Sequence, residues 1–157
     1  MKINEEMDIM CPDGFHVMDD QELYDAYDRE TPGVWGIWDK EAHVMITVVY
    51  NKANAFVGTI ASARDTAKSL EKGMKKAMKA YDYERKEFFT REVAGLTAQC
   101  FRYGYTRNDI RYEGDTTVIK HGHMFYMIYF YQRVENPDAH DVLNQVLDSV
   151  RFDNNNN

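Results

Sequence analysis

The chain has 157 residues, 44% of them hydrophobic and 13% aromatic, as in a single globular domain. Its formal net charge of −7 argues against nucleic-acid binding and against an anionic membrane as partner, because both need a basic surface. No apolar run approaches the ~20 residues of a membrane span. The chain does not start with a basic segment followed by an apolar one, which is the pattern of a signal peptide. The sequence as given therefore predicts a cytoplasmic protein, and it leaves open whether a leader was removed. Cys11 and Cys100 are expected to be free thiols.

The first elements are short. A brief strand is expected within residues 3–10. Asp19 and Glu22 form a capping-box pattern, with an acceptor at the cap and a glutamate three residues later, so a short helix is predicted to about Arg29. Thr31-Pro-Gly33 is expected to end it.

A hairpin and a long helix follow. Residues 34–38 and 43–50 are rich in β-branched and aromatic side chains and predict two paired strands. Residues 51–60 are expected to form a loop. Ser62 and Asp65 make a second capping box, and apolar residues then recur every three or four positions, which predicts a helix over 63–81.

The second half contains strands and one final helix. Gly95, residues 107–109 and His121-Gly122 are predicted turns, so the intervening segments form an antiparallel meander. Its predicted strands are 84–94, 96–105, 110–120 and 124–131. Asn136-Pro137 is expected to begin the last helix, since proline suits the first helical position.

Residues 124–131 are the most apolar stretch of the chain. Successive side chains of a strand point to opposite faces, and here both sets are apolar or aromatic. Such a strand needs cover on both sides. The fold class is therefore predicted to be α+β, with an antiparallel sheet flanked by helices on both faces, an α/β/α sandwich.

Both ends of the chain carry a family resemblance. Pro12-Asp-Gly-Phe15 followed by Met18-Asp-Asp-Gln-Glu-Leu23 resembles the start of bacterial proteins of the Mog1/PsbP-like superfamily, of the DUF1795 type. The segment from Val142 to Phe152 is similar to their final helix. The resemblance implies one domain over residues 1–152. The polar, low-complexity composition of residues 153–157 predicts a disordered tail. The resemblance also implies a non-catalytic binding or accessory protein, since most members are of that kind.

Aromatic side chains are the first candidates for a site. An incompletely covered sheet face would present them as an apolar groove edged by phenolic hydroxyls, suited to a peptide, an apolar helix or a small ligand. Full cover on both faces would instead make them core. The candidate binding residues are Trp35, Trp38, Tyr103, Tyr105, Tyr129 and Tyr131, within a wider set that includes Tyr112.

Two further patterns have both a functional and an ordinary interpretation. Lys72, Lys75 and Lys79 lie on the polar side of the long helix and could dock an acidic partner, although a solvated helix face is the usual and the favoured explanation. His121 and His123 flank a turn and are weak metal candidates that would need a third ligand, such as Glu113 or Asp115. The plain alternative is a solvent-exposed turn, so no metal and no cofactor is predicted.

The sequence favours a non-catalytic module that binds a protein, peptide or apolar ligand through an aromatic sheet face. No phosphate-binding loop, dinucleotide fingerprint, zinc-protease motif or nucleophile elbow is present. A small enzyme whose site has no linear motif is one alternative. A homodimer or other homo-oligomer, formed through an exposed edge or patch, is another.

Overall fold

The computed structural model describes residues 1–28, 30, 32–52, 62–134, 136 and 138–153. The strands are β1 (Met7–Asp8), β2 (His16–Val17), β3 (Val34–Asp39), β4 (Val44–Lys52), β5 (Glu84–Val93), β6 (Leu96–Arg107), β7 (Ile110–His121), β8 (Met124–Arg133) and β9 (Arg151–Phe152). The helices are α1 (Asp20–Tyr27), α2 (Ala63–Ala77) and α3 (Ala139–Ser149), and a 3₁₀ turn (Lys79–Tyr81) follows α2.

Seven strands form one antiparallel sheet in the order β2-β3-β4-β8-β7-β6-β5. The middle position belongs to β8, which contains the apolar stretch 124–131. The predicted hairpin is β3–β4 and the predicted meander is β5 to β8. Strand β8 of the meander pairs with β4 of the hairpin, and this pairing joins the two units into one sheet. In its register Tyr129 lies opposite Thr47. The first and last strands, β1 and β9, have two residues each and pair with each other in a second, two-stranded sheet.

Helices cover both sides of this sheet, so the predicted α/β/α sandwich is confirmed. We call the side that shows Phe125, Met127 and Tyr129 of β8 the α2 face, since these residues share a cluster with Ala67 of α2. The other side, with Tyr126, Ile128 and Phe130, is the α3 face. There the inner residues Leu143, Val146 and Leu147 of α3 complete the core together with Met7 and Ile9.

Local sequence signals explain where the helices begin and end. Asp19 and Ser62 each accept a hydrogen bond from the backbone three residues later, and both capping boxes are complete. Helix α1 ends at Tyr27, because its C-cap residue Asp28 has a left-handed φ of 54° that does not continue the helix. Helix α2 ends at Ala77, four residues before the predicted end at 81, and the 3₁₀ turn occupies that remainder.

Several boundaries differ from the sequence prediction. The first strand has only two residues, and it pairs with the equally short β9. The last meander turn is Gly122-His123, one residue later than predicted, and Gly122 takes a φ of 58°. The final helix begins at Ala139. The predicted loop at 51–60 was wrong at its start, where residues 51 and 52 extend β4. Residues 53–60 and the boundary residues Arg29, Thr31 and Pro137 lie outside the described residues.

No helix in the described ranges is both long enough and apolar enough to span a membrane. Asp153, the first residue of the predicted tail, donates its backbone N–H to Glu6 and pairs through its carboxylate with Lys2. Residues 154–157 are not among those described.

Candidate functional site

A cavity of about 540 Å³ opens on the α2 face, at the end of the sheet where β8 finishes. It lies between α1, which contributes Asp25 and Ala26, and the end of α2 with its 3₁₀ turn, which contribute Met78 and Tyr81. The two helices cover different strands: α2 packs on β6 and β7, whereas α1 packs on β3. The site is therefore the gap that they leave over the sheet.

Aromatic rings make the floor and walls of this cavity. Trp38 comes from β3, Tyr105 from β6, Tyr112 from β7 and Tyr131 from β8. All four are half-buried. Met45 lies directly opposite both Trp38 and Tyr131 in the sheet register, so the wall is continuous across three strands.

The tyrosines of the floor belong to a stacked series that runs under α2. Ring centroids of Tyr105 and Tyr112 are 5.2 Å apart and those of Tyr103 and Tyr105 are 6.1 Å apart. Tyr83 continues the series, 5.6 Å from Tyr103. Since Tyr103 is fully buried, this stacking fixes the orientation of the Tyr105 ring at the cavity.

The phenols of Tyr105 and Tyr131 stay protonated near neutral pH, because the pKa of each is raised. Burial, with a smaller contribution from Tyr112, raises the pKa of Tyr105 to about 12, and the charge of Arg107 opposes this rise. Burial also raises the pKa of Tyr131 well above its ordinary value, with added contributions from Tyr27 and Tyr129. A protonated phenol donates and accepts hydrogen bonds but is a weak base, so these groups suit binding better than proton abstraction.

Charged groups surround the aromatic floor. Arg107 and Arg133 line it from the ends of β6 and β8, while Asp25 and His43 are exposed at the α1 and β3–β4 sides. The Arg107 guanidinium lies over the Tyr81 ring, 5.8 Å from its centroid. The site thus combines an apolar body with cationic edges.

The structure divides the predicted aromatic residues into three groups. Trp38, Tyr105 and Tyr131 line the cavity together. Tyr103 and Tyr129 are on the same face but are buried, 0% and 8% exposed, and belong to the core. Trp35 is three residues from Trp38 along a strand, an odd spacing, so it points to the opposite α3 face and packs against that core.

The other predicted candidates lie elsewhere. Lys72, Lys75 and Lys79 are exposed, along α2 and its 3₁₀ turn. His121 stacks on Phe152 with a centroid distance of 4.3 Å, and its Nδ1 is 3.6 Å from Glu6. His123 is exposed in the turn.

The suggested third metal ligands are not close to the histidine pair. Asp115 is six residues from His121 along β7, about 20 Å at the usual rise of a strand, and Glu113 is farther. Among the residues that the structure describes, no group of three or more His, Cys, Asp or Glu side chains could hold a metal ion. The thiols Cys11 and Cys100 are free, and burial raises the pKa of Cys100 to about 11.

Sequence reasoning missed most of the non-aromatic lining. Arg107 and Arg133 each follow a lining tyrosine, Tyr105 or Tyr131, by two residues, so strand alternation places them on the same face. That signal was present in the sequence. The lining residues Ala26, His43, Met45 and Met78 carried no comparable signal, because their proximity depends on register and helix placement.

A polar cluster lies on the α3 face, across strands β5, β6 and β7. Asp115 is 1% exposed and accepts hydrogen bonds from both terminal nitrogens of Arg91, at 2.9 and 3.1 Å, and from Nε of Arg102 at 3.1 Å. Next to it Glu113 contacts Lys86 and His140. Burial alone would raise the pKa of Glu113, but the contacts with Lys86, His140 and Gln132 lower it overall. These charges compensate one another.

Solved structures with the same architecture include three bacterial proteins. Cyanobacterial PsbP (CyanoP) from Synechocystis is 14% identical, with a TM-score of 0.64 over 94% of this chain and 86% of that one. A protein from Bacteroides thetaiotaomicron is 8% identical, with a TM-score of 0.62 over 95% of this chain, which spans only 46% of that protein. LpqN of Mycobacterium tuberculosis, involved in cell envelope biogenesis, is 13% identical, with a TM-score of 0.52 over 93% and 82%.

These similarities define the class of fold. The chain has the Mog1/PsbP-like fold, as the resemblance at its two ends predicted. No family profile and no curated protein matches its sequence, so assignment to the DUF1795 type stays a prediction. At identities of 8–14% the shared fold does not carry over a ligand or partner, which must be argued from the residues of this chain.

Proposed function

We propose that this protein is a non-catalytic binding module, formed by residues 1–152 as one domain, that holds a small apolar or aromatic ligand in the cavity between α1 and α2. The observation that carries the proposal is the cavity itself. Its volume of about 540 Å³ falls in the range of roughly 300–1,000 Å³ that is usual for small-molecule sites. Three aromatic residues predicted for binding, Trp38, Tyr105 and Tyr131, converge on it from separate strands.

The chemistry of the lining supports binding over catalysis. An acid–base site built on phenols or carboxyl groups needs a pKa shifted toward neutrality, and a nucleophilic site needs a nucleophile beside a base. The shifts at Tyr105 and Tyr131 go the other way, upward. Among the described residues that line the cavity there is no thiol and no serine or threonine hydroxyl. Flat rings whose orientations are already fixed give a ligand contact area, and their side chains lose little conformational freedom when the ligand binds.

A protein or peptide partner stays a prediction, and it would bind at surfaces other than the cavity. Lys72, Lys75 and Lys79 are exposed on α2 and its 3₁₀ turn, outside the cavity lining. Strand β5 is the long open edge of the sheet, where a homodimer would pair, and charged residues and a register irregularity between Arg85 and Glu87 interrupt it. Both surfaces lack the concave apolar character of the cavity.

The proposal can be tested with a neutral fluorescent probe and a variant that fills the cavity. N-phenyl-1-naphthylamine has an apolar aromatic body and fluoresces when it leaves water. Ala26 lies on the exposed side of α1 and lines the cavity, so Ala26→Phe is expected to occlude the site at little cost to the fold. Ala77→Phe, at an exposed helical alanine outside the lining, is the matched control.

We expect the wild type and Ala77→Phe to bind the probe with similar affinity. Ala26→Phe should bind it at least about tenfold more weakly, because the probe can then bury less of its apolar surface in the cavity. Far-ultraviolet circular dichroism would verify that all three are folded. Equal affinity of the two variants would show that the probe binds elsewhere, and the absence of binding to the wild type would reject the proposal.

A further inference from the structure

Two arginines line the aromatic cavity, and no described residue neutralises either of them. Neither Arg107 nor Arg133 has a carboxylate oxygen within the 4.0 Å of an ion pair among the residues described. Other arginines of the meander do: Arg102 pairs with Asp115 and Glu87, and Arg111 pairs with Glu84. The protein as a whole carries a net charge of −7. The two arginines of the cavity, which have no acidic partner among the described residues, thus differ both from the paired arginines and from the acidic protein as a whole.

Arg133 provides the more specific observation. It lies opposite Tyr112 and on the same face as Tyr131, so its side chain reaches the cavity from the end of β8. Its Nε is buried and has no hydrogen-bond partner among the described residues. Buried N–H groups in proteins almost always have an acceptor. With no acceptor at Nε and no ion pair among the described residues, the charge of the Arg133 guanidinium is left uncompensated.

Arg107 is held by an aromatic ring and not by an acid. Its guanidinium lies 5.8 Å from the centroid of Tyr81, which also lines the cavity. Within the described lining the single carboxylate is that of Asp25 on α1, which is exposed, accepts a hydrogen bond from Gln21 and forms no ion pair with either arginine. The planar fork of each guanidinium therefore keeps donors available for an anion, which it can bind through two parallel hydrogen bonds.

We propose that the ligand is a small anion with an aromatic or apolar body, whose carboxylate, sulfonate or phosphate group is bound by Arg107 and Arg133. This inference rests on the proposed binding function and adds the charge of the ligand to it. The body packs on Trp38, Tyr105 and Tyr131, and the anion takes the arginine side of the cavity. These two contacts give both affinity and a fixed orientation of the ligand. The apolar floor offers no hydrogen bond to the anionic group, and the arginines offer little apolar surface to the body.

A pair of probes isolates the anionic group. The compounds 8-anilinonaphthalene-1-sulfonate and N-phenyl-1-naphthylamine share one aromatic body and differ only in the sulfonate. Both would be titrated by fluorescence against the wild type, the double variant Arg107→Gln/Arg133→Gln and the control Arg64→Gln/Arg85→Gln. The control residues are exposed, lie outside the cavity and give the same change of net charge.

We expect the wild type and the control to prefer the sulfonate probe by about tenfold, the usual worth of hydrogen bonds to a charged group. The cavity variant should lose that preference while it keeps its affinity for the neutral probe. The preference in the wild type should also fall as salt is raised.

The outcomes separate the two proposals. If the wild type binds both probes equally, or if the control loses the preference as fully as the cavity variant, the anion inference is wrong although the cavity still binds apolar bodies. If neither probe binds the wild type, both proposals fail. If the cavity variant does not fold, the wild-type preference and its salt dependence decide the matter: a salt-sensitive preference supports the inference and its absence overturns it.

Discussion

The ring of Tyr103 lies over Gly114, its direct partner on the neighbouring strand, in the space that a side chain at position 114 would occupy. A Cβ atom built on Gly114 would overlap the Cζ and hydroxyl atoms of Tyr103. Tyr103 is 0% exposed and stacks between Tyr83 and Tyr105. The glycine therefore allows the close approach that sets the tyrosine series beneath α2 and, through Tyr105, the floor of the cavity.

Gly114→Ala should destabilise the protein. The new methyl group must displace a buried ring, because the conflict is with the ring itself and not with a flexible side-chain end. We expect the free energy of unfolding to fall by about 2–3 kcal/mol, the usual cost of overpacking a core. Urea denaturation followed by circular dichroism would measure it. A loss below about 0.5 kcal/mol would mean that Tyr103 can move aside freely.

Gly73→Ala should have the opposite effect. Gly73 lies within α2, is exposed, and a Cβ atom there would have no heavy atom within 4 Å among the described residues. Alanine should raise the free energy of unfolding by about 0.5–1 kcal/mol, since glycine is the poorer helix former. The same urea titration serves as the measurement. A destabilised Gly73→Ala would show that position 73 contacts a part of the protein outside the described residues.

Asp115→Asn should be among the costlier single changes in the sheet. The carboxylate is buried and is shared by Arg91 and Arg102, so its loss leaves Arg91 without its counter-charge and Arg102 with only the exposed Glu87. We expect a loss of about 3 kcal/mol in the free energy of unfolding, at the lower end for a broken buried pair because both arginines retain some contact with water. Thermal and urea unfolding would both report it.

Glu87→Gln is the matched control for this change. Glu87 pairs with the same Arg102 but its side chain is 51% exposed. An exposed ion pair contributes little, so the expected loss is under about 1 kcal/mol. Equal effects of the two substitutions would contradict the idea that burial makes the Asp115 pairs important.

The pH dependence of stability should carry a contribution from Glu22. A hydrogen bond from Lys40, then those from the Asp19 backbone and His16, lower the pKa of Glu22 from 4.5 to about 2. Because the folded state favours the carboxylate, its contribution is complete above about pH 4.5 and is lost as the pH falls toward 2.

Glu22→Gln should remove that contribution. The wild type should be the more stable protein above pH 5, and the two should converge as the pH approaches about 2, the folded-state pKa. Urea titrations between pH 2 and pH 7 would show it, with the exposed Glu41→Gln as control. A difference that stays constant over this range would show that the carboxylate charge of Glu22 is not what stabilises α1.

The sequence predicted the elements because their signals are local. Capping boxes at Asp19 and Ser62, periodic apolar residues and turn residues located most helices and strands within a few positions. The doubly apolar stretch 124–131 identified the central strand, since only a strand covered on both sides can be apolar on both faces. These signals also gave the α/β/α sandwich, which the structure confirms.

The sequence could not separate site aromatics from core aromatics. Tyr103, Tyr105, Tyr129 and Tyr131 have the same local pattern, yet only Tyr105 and Tyr131 line the cavity. The distinction depends on which strands α1 and α2 cover, and helix placement is set by packing between distant parts of the chain. Residue type and strand alternation, by themselves, determined that an aromatic face exists and that Arg107 and Arg133 share it. Only the tertiary structure decided where that face stays open, because the opening is a gap between two helices that no local sequence pattern encodes.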